Sequence, residues 1–125
     1  MGRRRILIID DEPAFTEMVK LNLESTGVYQ VKIENRSLAA VQTAASFNPE
    51  LILLDVVMPE KEGPDILCQF KEEPLLRNVP VIFLTATIRK TEVDEQDGQI
   101  GGYPFLAKPC SVAELIETIE QHLPR

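Results

Sequence analysis

The chain's 125 residues, 44% of them hydrophobic and 26% charged, are enough for one domain with a buried core. A formal charge of −7, from 20 acidic against 13 basic residues, argues against a nucleic-acid footprint and for solubility or a basic partner surface. No apolar run approaches the ~20 residues of a membrane-spanning helix, and MGRRRILIID turns acidic too early for a signal peptide, which points to the cytoplasm.

The first element is Ile6-Leu7-Ile8-Ile9, a continuous apolar run of the kind that reads as a strand covered on both faces. It delivers Asp10, Asp11 and Glu12 to one point, where like charges repel unless something positive joins them. A helix is expected from Pro13, with Phe15, Met18, Val19 and Leu23 on its apolar face and Gly27 beyond its end; Glu12 then meets the positive end of its dipole. Tyr29, Val31 and Ile33 alternate with Gln30, Lys32 and Glu34, so the second strand has one wet face and belongs near a sheet edge. Ala-rich residues from Ser37 to Phe47 read as a second helix that stops before Asn48-Pro49.

Leu51-Ile52-Leu53-Leu54 is a second central strand, ending in Asp55. Pro64-Asp65 opens a helix carrying Ile66, Leu67 and Phe70, which must finish before Pro74. Val81-Ile82-Phe83-Leu84 is a third central strand, ending at Thr85. The stretch from Arg89 to Gly102 has three glycines and no sustained apolar stripe, which predicts a short or frayed fourth helix, with Glu92, Asp94, Glu95 and Asp97 as a solvated face. Pro104 lacks the N–H of a central strand, so Phe105-Leu106-Ala107 belongs near the other edge, ending at Lys108. Ser111 and Glu114 form a capping-box pattern for a last helix with a stripe of Val112, Ile116, Ile119 and Leu123.

Five strands alternating with helices call for a parallel sheet covered on both faces, because each parallel crossover needs a connector of helix length. With the second and fifth strands outermost the order is 2-1-3-4-5, a flavodoxin-like, doubly wound (βα)5 three-layer α/β sandwich. Ligands of such sheets sit outside the carboxyl ends of the strands. Asp10, Asp11, Asp55, Thr85 and Lys108 all fall there, so four strands converge on one crevice. Two carboxylates ~4 Å apart repel by a few kcal/mol at an effective dielectric near 20. A hard dication relieves that conflict, and Mg²⁺ suits an all-oxygen site lacking His or Cys.

IIDDEP, LILLDVVMPEKEG, PVIFLTA and FLAKP, in this order over nearly the whole chain, resemble the receiver domain of two-component response regulators, of the chemotaxis-regulator type. The resemblance implies that Asp55 is the phosphoacceptor, taking its phosphoryl group from a histidine kinase or phosphotransfer protein. It implies Mg²⁺, or Mn²⁺ in its place, held by Asp11, Asp55 and the Val57 carbonyl, with Asp10 acting through a water. Lys108 would pair with the phosphoryl group, while Thr85 and Phe105 would be the switch residues that remodel a surface of fourth helix, fifth strand and fifth helix. Ala86 leaves room for the phosphoryl group, and apolar Val57 cannot orient an attacking water. A downstream output domain or protein, or a phosphorylation-dependent dimer, would read the surface, with neither nucleic acid nor membrane bound directly. The 125 residues would be one receiver domain, either a single-domain regulator or a receiver excised from a longer protein. Such a domain catalyses only its own phosphorylation and dephosphorylation.

Two rivals remain open at this stage: a receiver-like interaction module that is never phosphorylated, and an aspartyl-nucleophile phosphatase, which would want an acid where Val57 stands. Arg3, Arg4 and Arg5 read as a solvated lead-in to the first strand. His122 reads as a solvated helix-end residue, and Cys68 and Cys110 as reduced, buried small hydrophobes.

Overall fold

A computed structural model describes residues 2–86, 99–100, 103–108 and 110–124. In chain order it has β1 (Arg4–Ile9), α1 (Pro13–Glu24), β2 (Tyr29–Glu34), a 3₁₀ turn (Ser37–Ala39), α2 (Ala40–Phe47), β3 (Leu51–Asp55), α3 (Gly63–Glu72) and β4 (Val81–Thr85). These are followed by β5 (Gln99–Ile100), β6 (Tyr103–Ala107) and a C-terminal helix α4 (Val112–His122). The sheet order is β2-β1-β3-β4-β6-β5. Its five parallel strands run 2-1-3-4 and then the last one, in the expected flavodoxin-like order.

Successive residues of a strand point to opposite faces, so a continuous apolar run feeds two cores at once. On one side Ile6, Ile8, Leu51, Leu53, Ile82 and Leu84 pack with Val19 and Leu23 of α1 and Leu115 and Ile119 of α4. On the other, Leu7, Ile9, Ile52, Leu54, Val81 and Phe83 pack with Ala40 and Ala44 of α2 and Ile66 and Phe70 of α3. Ile6 to Ile9 and Leu51 to Leu54 are wholly buried, each worth about 1.5–3 kcal/mol of apolar burial. Tyr29 and Val31 of the edge strand β2 are buried while Gln30 and Lys32 face water, as their alternation requires.

Register fixes where the strands stop. Ile9 lies beside Leu54, Asp55 beside Leu84, and Thr85 beside Ala107. The residues at or just beyond those points are therefore brought to one carboxyl edge, which is the fold's contribution to the site.

Several local expectations are corrected. The inward face of α1 is Thr16, Val19 and Leu23, and Met18 is 46% exposed. Phe15 packs at the margin of that core. In α4, Leu115, Ile119 and Leu123, spaced by four, take the core line; Val112 is exposed and Ile116 only half-buried. The capping box at Ser111 forms as expected. Cys68 is exposed, because it lies two residues from both Ile66 and Phe70 and so on the far side of α3. Cys110 is half-buried, and both thiols are free.

Arg4 and Arg5 are tethers as well as a lead-in. Arg4 Nε is 3.2 Å from Glu50 Oε2 and its guanidinium also donates to the Pro124 carbonyl, while Arg5 Nε donates to the Asn48 carbonyl at 2.8 Å. His122, half-buried in the last turn of α4, sits with Nδ1 2.9 Å from the Thr118 carbonyl.

The expected fourth helix and its acidic face lie outside the described residues, except at Gln99–Ile100. There the chain is a strand, antiparallel to β6 with Ile100 beside Tyr103. No helix among the described residues is long and apolar enough to cross a membrane.

Candidate functional site

Asp10 follows β1 directly and is wholly buried. Its backbone is fixed on both sides: its N–H donates to the Glu34 carbonyl at 3.1 Å, and its carbonyl accepts from Asn35 Nδ2 at 2.7 Å. Oδ1 accepts the Glu12 N–H at 3.0 Å, which turns the chain into α1. Asp55, the last residue of β3, is 4% exposed, and its Oδ1 accepts the Val57 N–H at 3.3 Å. Thr85, the last residue of β4, is buried, and its carbonyl accepts the Lys108 N–H at 2.7 Å, which locks the β6 end to the β4 end.

The Lys108 side chain is 7% exposed and runs into the middle of this group. Nζ lies 2.8 Å from Asp10 Oδ2, 2.8 Å from Glu12 Oε1 and 3.7 Å from Asp55 Oδ2, with the Phe15 ring centroid 4.8 Å away. Carboxylate oxygens of Asp10, Asp11, Glu12 and Asp55 lie within 4.8 Å of one another. A cleft of about 270 Å³ opens over them, lined by Asp11, Glu12, Asp55, Val57, Ala86 and Lys108.

Four acids around one ammonium set the electrostatics. Burial, the nearby Asp10 carboxylate and, more weakly, Asp11 push the Asp55 carboxyl up to about 7, against the opposing pull of Lys108 and the Val57 N–H. Burial disfavours the Lys108 ammonium, but hydrogen bonds to Asp10 and Glu12 and the fields of Asp10 and Asp55 outweigh it and drive its titration upward. Lys108 is therefore charged at neutral pH. The donor set is all oxygen with neither His nor Cys, which fits a hard dication coordinated by carboxylates.

The expected residues Asp10, Asp11, Asp55, Thr85 and Lys108 meet at this edge, with Val57, 67% exposed, on the rim. Phe105 does not line the cleft: it is half-buried in the core on the α2 and α3 side. Glu12 stands at the start of α1 as expected, as its N-cap residue, but it makes no side-chain capping bond and its carboxylate pairs with Lys108.

Sequence reasoning missed Gly63. A Cβ there would stand 2.4 Å from the Asp55 carbonyl oxygen, and the Gly63 N–H donates to the Val56 carbonyl at 2.9 Å. The loop after β3 thus folds back onto the strand end that carries Asp55. Ser37 Oγ pins the same loop by donating to the Pro59 carbonyl at 2.8 Å. A glycine set just before the helix-opening Pro64 was the available signal.

Residues 6–120 match the family described as the response regulator receiver domain. Over 120 residues, 96% of each chain, the protein is 31% identical to the polar-differentiation response regulator DivK of Brucella anthropi. It is 34% identical over 119 residues to a probable cyclic di-GMP phosphodiesterase of Vibrio cholerae, covering 94% of this chain but 26% of that one. The chain thus spans from about a quarter to nearly all of the length of these curated relatives. Among solved structures, the receiver domain of sensor histidine kinase PA1611 from Pseudomonas aeruginosa, with a magnesium ion coordinated in its active site cleft, superposes with a TM-score of 0.81. That likeness is at 25% identity and covers 97% of this chain and 98% of that one.

Proposed function

Because the chain belongs to the receiver domains of response regulators, the phosphorylation-regulated switches of two-component signalling, we propose that Asp55 is its phosphoacceptor. The observation that carries this is the placement of Asp55: a carboxylate at a strand end, lining one cleft with Asp11 and Lys108, with carboxylate oxygens of Asp10, Asp11 and Asp55 within 4.8 Å of one another. A carboxylate oxygen of Asp55 forms a bond to phosphorus as the P–N bond of a phosphohistidine donor breaks, its electron pair remaining on the imidazole nitrogen. The donor is a histidine kinase or phosphotransfer protein.

Asp11, Asp55 and the Val57 carbonyl would hold Mg²⁺ or Mn²⁺, with Asp10 acting through a water, and the bound ion would neutralise charge at the phosphoryl oxygens. Lys108 supplies the matching positive charge from the protein side. Once the phosphoryl group is in place, Lys108 and the Thr85 hydroxyl each take one of its oxygens. Bonds to such a charged group are worth about 1.5–3 kcal/mol each, enough to shift a two-state equilibrium roughly a hundredfold. Movement of Thr85 carries Ala86 and lets Phe105 turn inward, which remodels the β6 and α4 surface for an output domain, an output protein or a second copy. The domain catalyses only its own phosphorylation and dephosphorylation.

Incubation with acetyl phosphate and Mg²⁺ tests this directly. Intact-mass spectrometry is expected to find one added phosphoryl group on the wild-type chain and none on Asp55→Asn or in the presence of a chelator. Retention of the group by Asp55→Asn would overturn the assignment.

A further inference from the structure

Lys108 is held on three sides. Asp10 and Glu12 take two of its three ammonium donors at 2.8 Å each, and the face of Phe15 lies 4.8 Å from Nζ. The fourth side faces Asp55 at 3.7 Å, too long for a hydrogen bond. The resting ammonium is therefore aimed at the two acids beside β1, and a phosphoryl group on Asp55 must draw it across the cleft.

The two bonds it would stretch are unequal. Asp10 is wholly buried, so a bond lost there leaves a charge without water, at high cost. The Glu12 side chain is 59% exposed, and water replaces Lys108 on its carboxylate as soon as the pair parts. Glu12 also approaches from a fixed base: its N–H is tied to Asp10 Oδ1 at 3.0 Å, and Pro13 begins α1 directly after it. A pair with one partner so exposed adds little to folding, so its effect is on where Lys108 points.

We propose that Glu12 is a positioning residue that holds Lys108 away from Asp55 at rest and competes with the phosphoryl group for the ammonium. This rests on Asp55 as the phosphoacceptor and adds to it a rate- and affinity-setting competitor. Glu12→Gln keeps the shape and removes the competing charge.

Two readouts test it. In the metal-free wild type the Lys108 ammonium is expected to give an exchange-protected signal in ¹H–¹⁵N spectra of the lysine side chains, and Glu12→Gln to weaken that protection. With saturating Mg²⁺, beryllofluoride, a phosphoryl mimic, is expected to bind Glu12→Gln roughly fivefold more tightly than wild type. Simple removal of an exposed charge is screened by salt, so the gain must persist at high ionic strength. Unchanged protection of Lys108, unchanged or weaker mimic affinity, or a gain that vanishes in salt would each overturn the role of Glu12. Failure of the wild type itself to bind beryllofluoride would instead break the phosphoacceptor reading.

Discussion

Glu50 and Asp55 stand at opposite ends of β3, and the two ends treat a carboxylate in opposite ways. At the amino end, Glu50 Oε2 accepts the Arg5 N–H at 2.8 Å and faces Arg4 Nε at 3.2 Å. Burial pushes its carboxyl upward, yet these bonds and the two guanidinium charges win and hold it below the usual range. At the carboxyl end, Asp55 has one long N–H bond, a lysine beyond hydrogen-bond reach and two neighbouring acids, and it is pushed up to about 7. One end of the strand satisfies its charge within the chain and serves stability. The other is left short of positive charge, which is the condition that favours a dication.

The largest expected effect follows from that shortage. A folded value near 7 against an ordinary 3.8 means that the native state binds more protons than the unfolded one between those limits. Stability then falls as pH rises from 3.8 towards 7 and stays low above it. Asp55→Asn removes the buried charge with little change of shape. In chelator, urea unfolding at pH 8 is expected to find the variant more stable than wild type by about 3 kcal/mol, with the gap closing towards pH 4. Added Mg²⁺ narrows the gap at pH 8 by stabilising wild type. Equal stability of the two proteins at pH 8 would mean that the carboxyl end carries no such strain.

A smaller effect tests the backbone that presents Asp55. Gly63→Ala puts a methyl group 2.4 Å from a carbonyl oxygen, where neither atom is the end of a flexible side chain. Unfolding is expected to show a loss of about 2 kcal/mol, and labelling of Asp55 by acetyl phosphate should slow as the strand end shifts. Among the described residues no glycine plays that part at the Glu50 end, where long side chains do the joining.

What the sequence revealed follows the same division. The continuous apolar runs of β1, β3 and β4 and the Pro104-led run of β6 made the strands legible, and the residue closing or following each run marked its carboxyl end, so Asp10, Asp55, Thr85 and Lys108 could be placed together from the sequence. Which acid Lys108 would choose was not legible, because it depends on side-chain reach across the cleft. Gly63 was missed because the atom it avoids belongs to Asp55, on another element. Arg4 and Arg5 looked solvated because their partners Glu50, Asn48 and Pro124 are remote in sequence. The α1 face was misjudged at Met18 because helical spacing also admits an arc through the polar Thr16, whose hydroxyl is satisfied by the Pro13 carbonyl and by Asn35.

The smallest effect belongs to the amino end. Glu50→Gln keeps an acceptor for the Arg5 N–H but loses the charge facing Arg4, at an expected cost of about 1 kcal/mol at pH 7. The sign with pH is the reverse of that at Asp55. A lowered carboxyl contributes stability that is present above its ordinary 4.5 and is lost as pH falls through its folded value. The Glu50→Gln deficit should therefore shrink only in acid, from the lower end of the window in which the Asp55→Asn gain declines. The two positions lie roughly 16 Å apart along an extended strand and share no partner, so their effects should add in the double variant to within about 0.5 kcal/mol. A larger departure would show that the two ends of β3 are coupled through the strand itself, and the contrast between them would then be one property of β3 instead of two local ones.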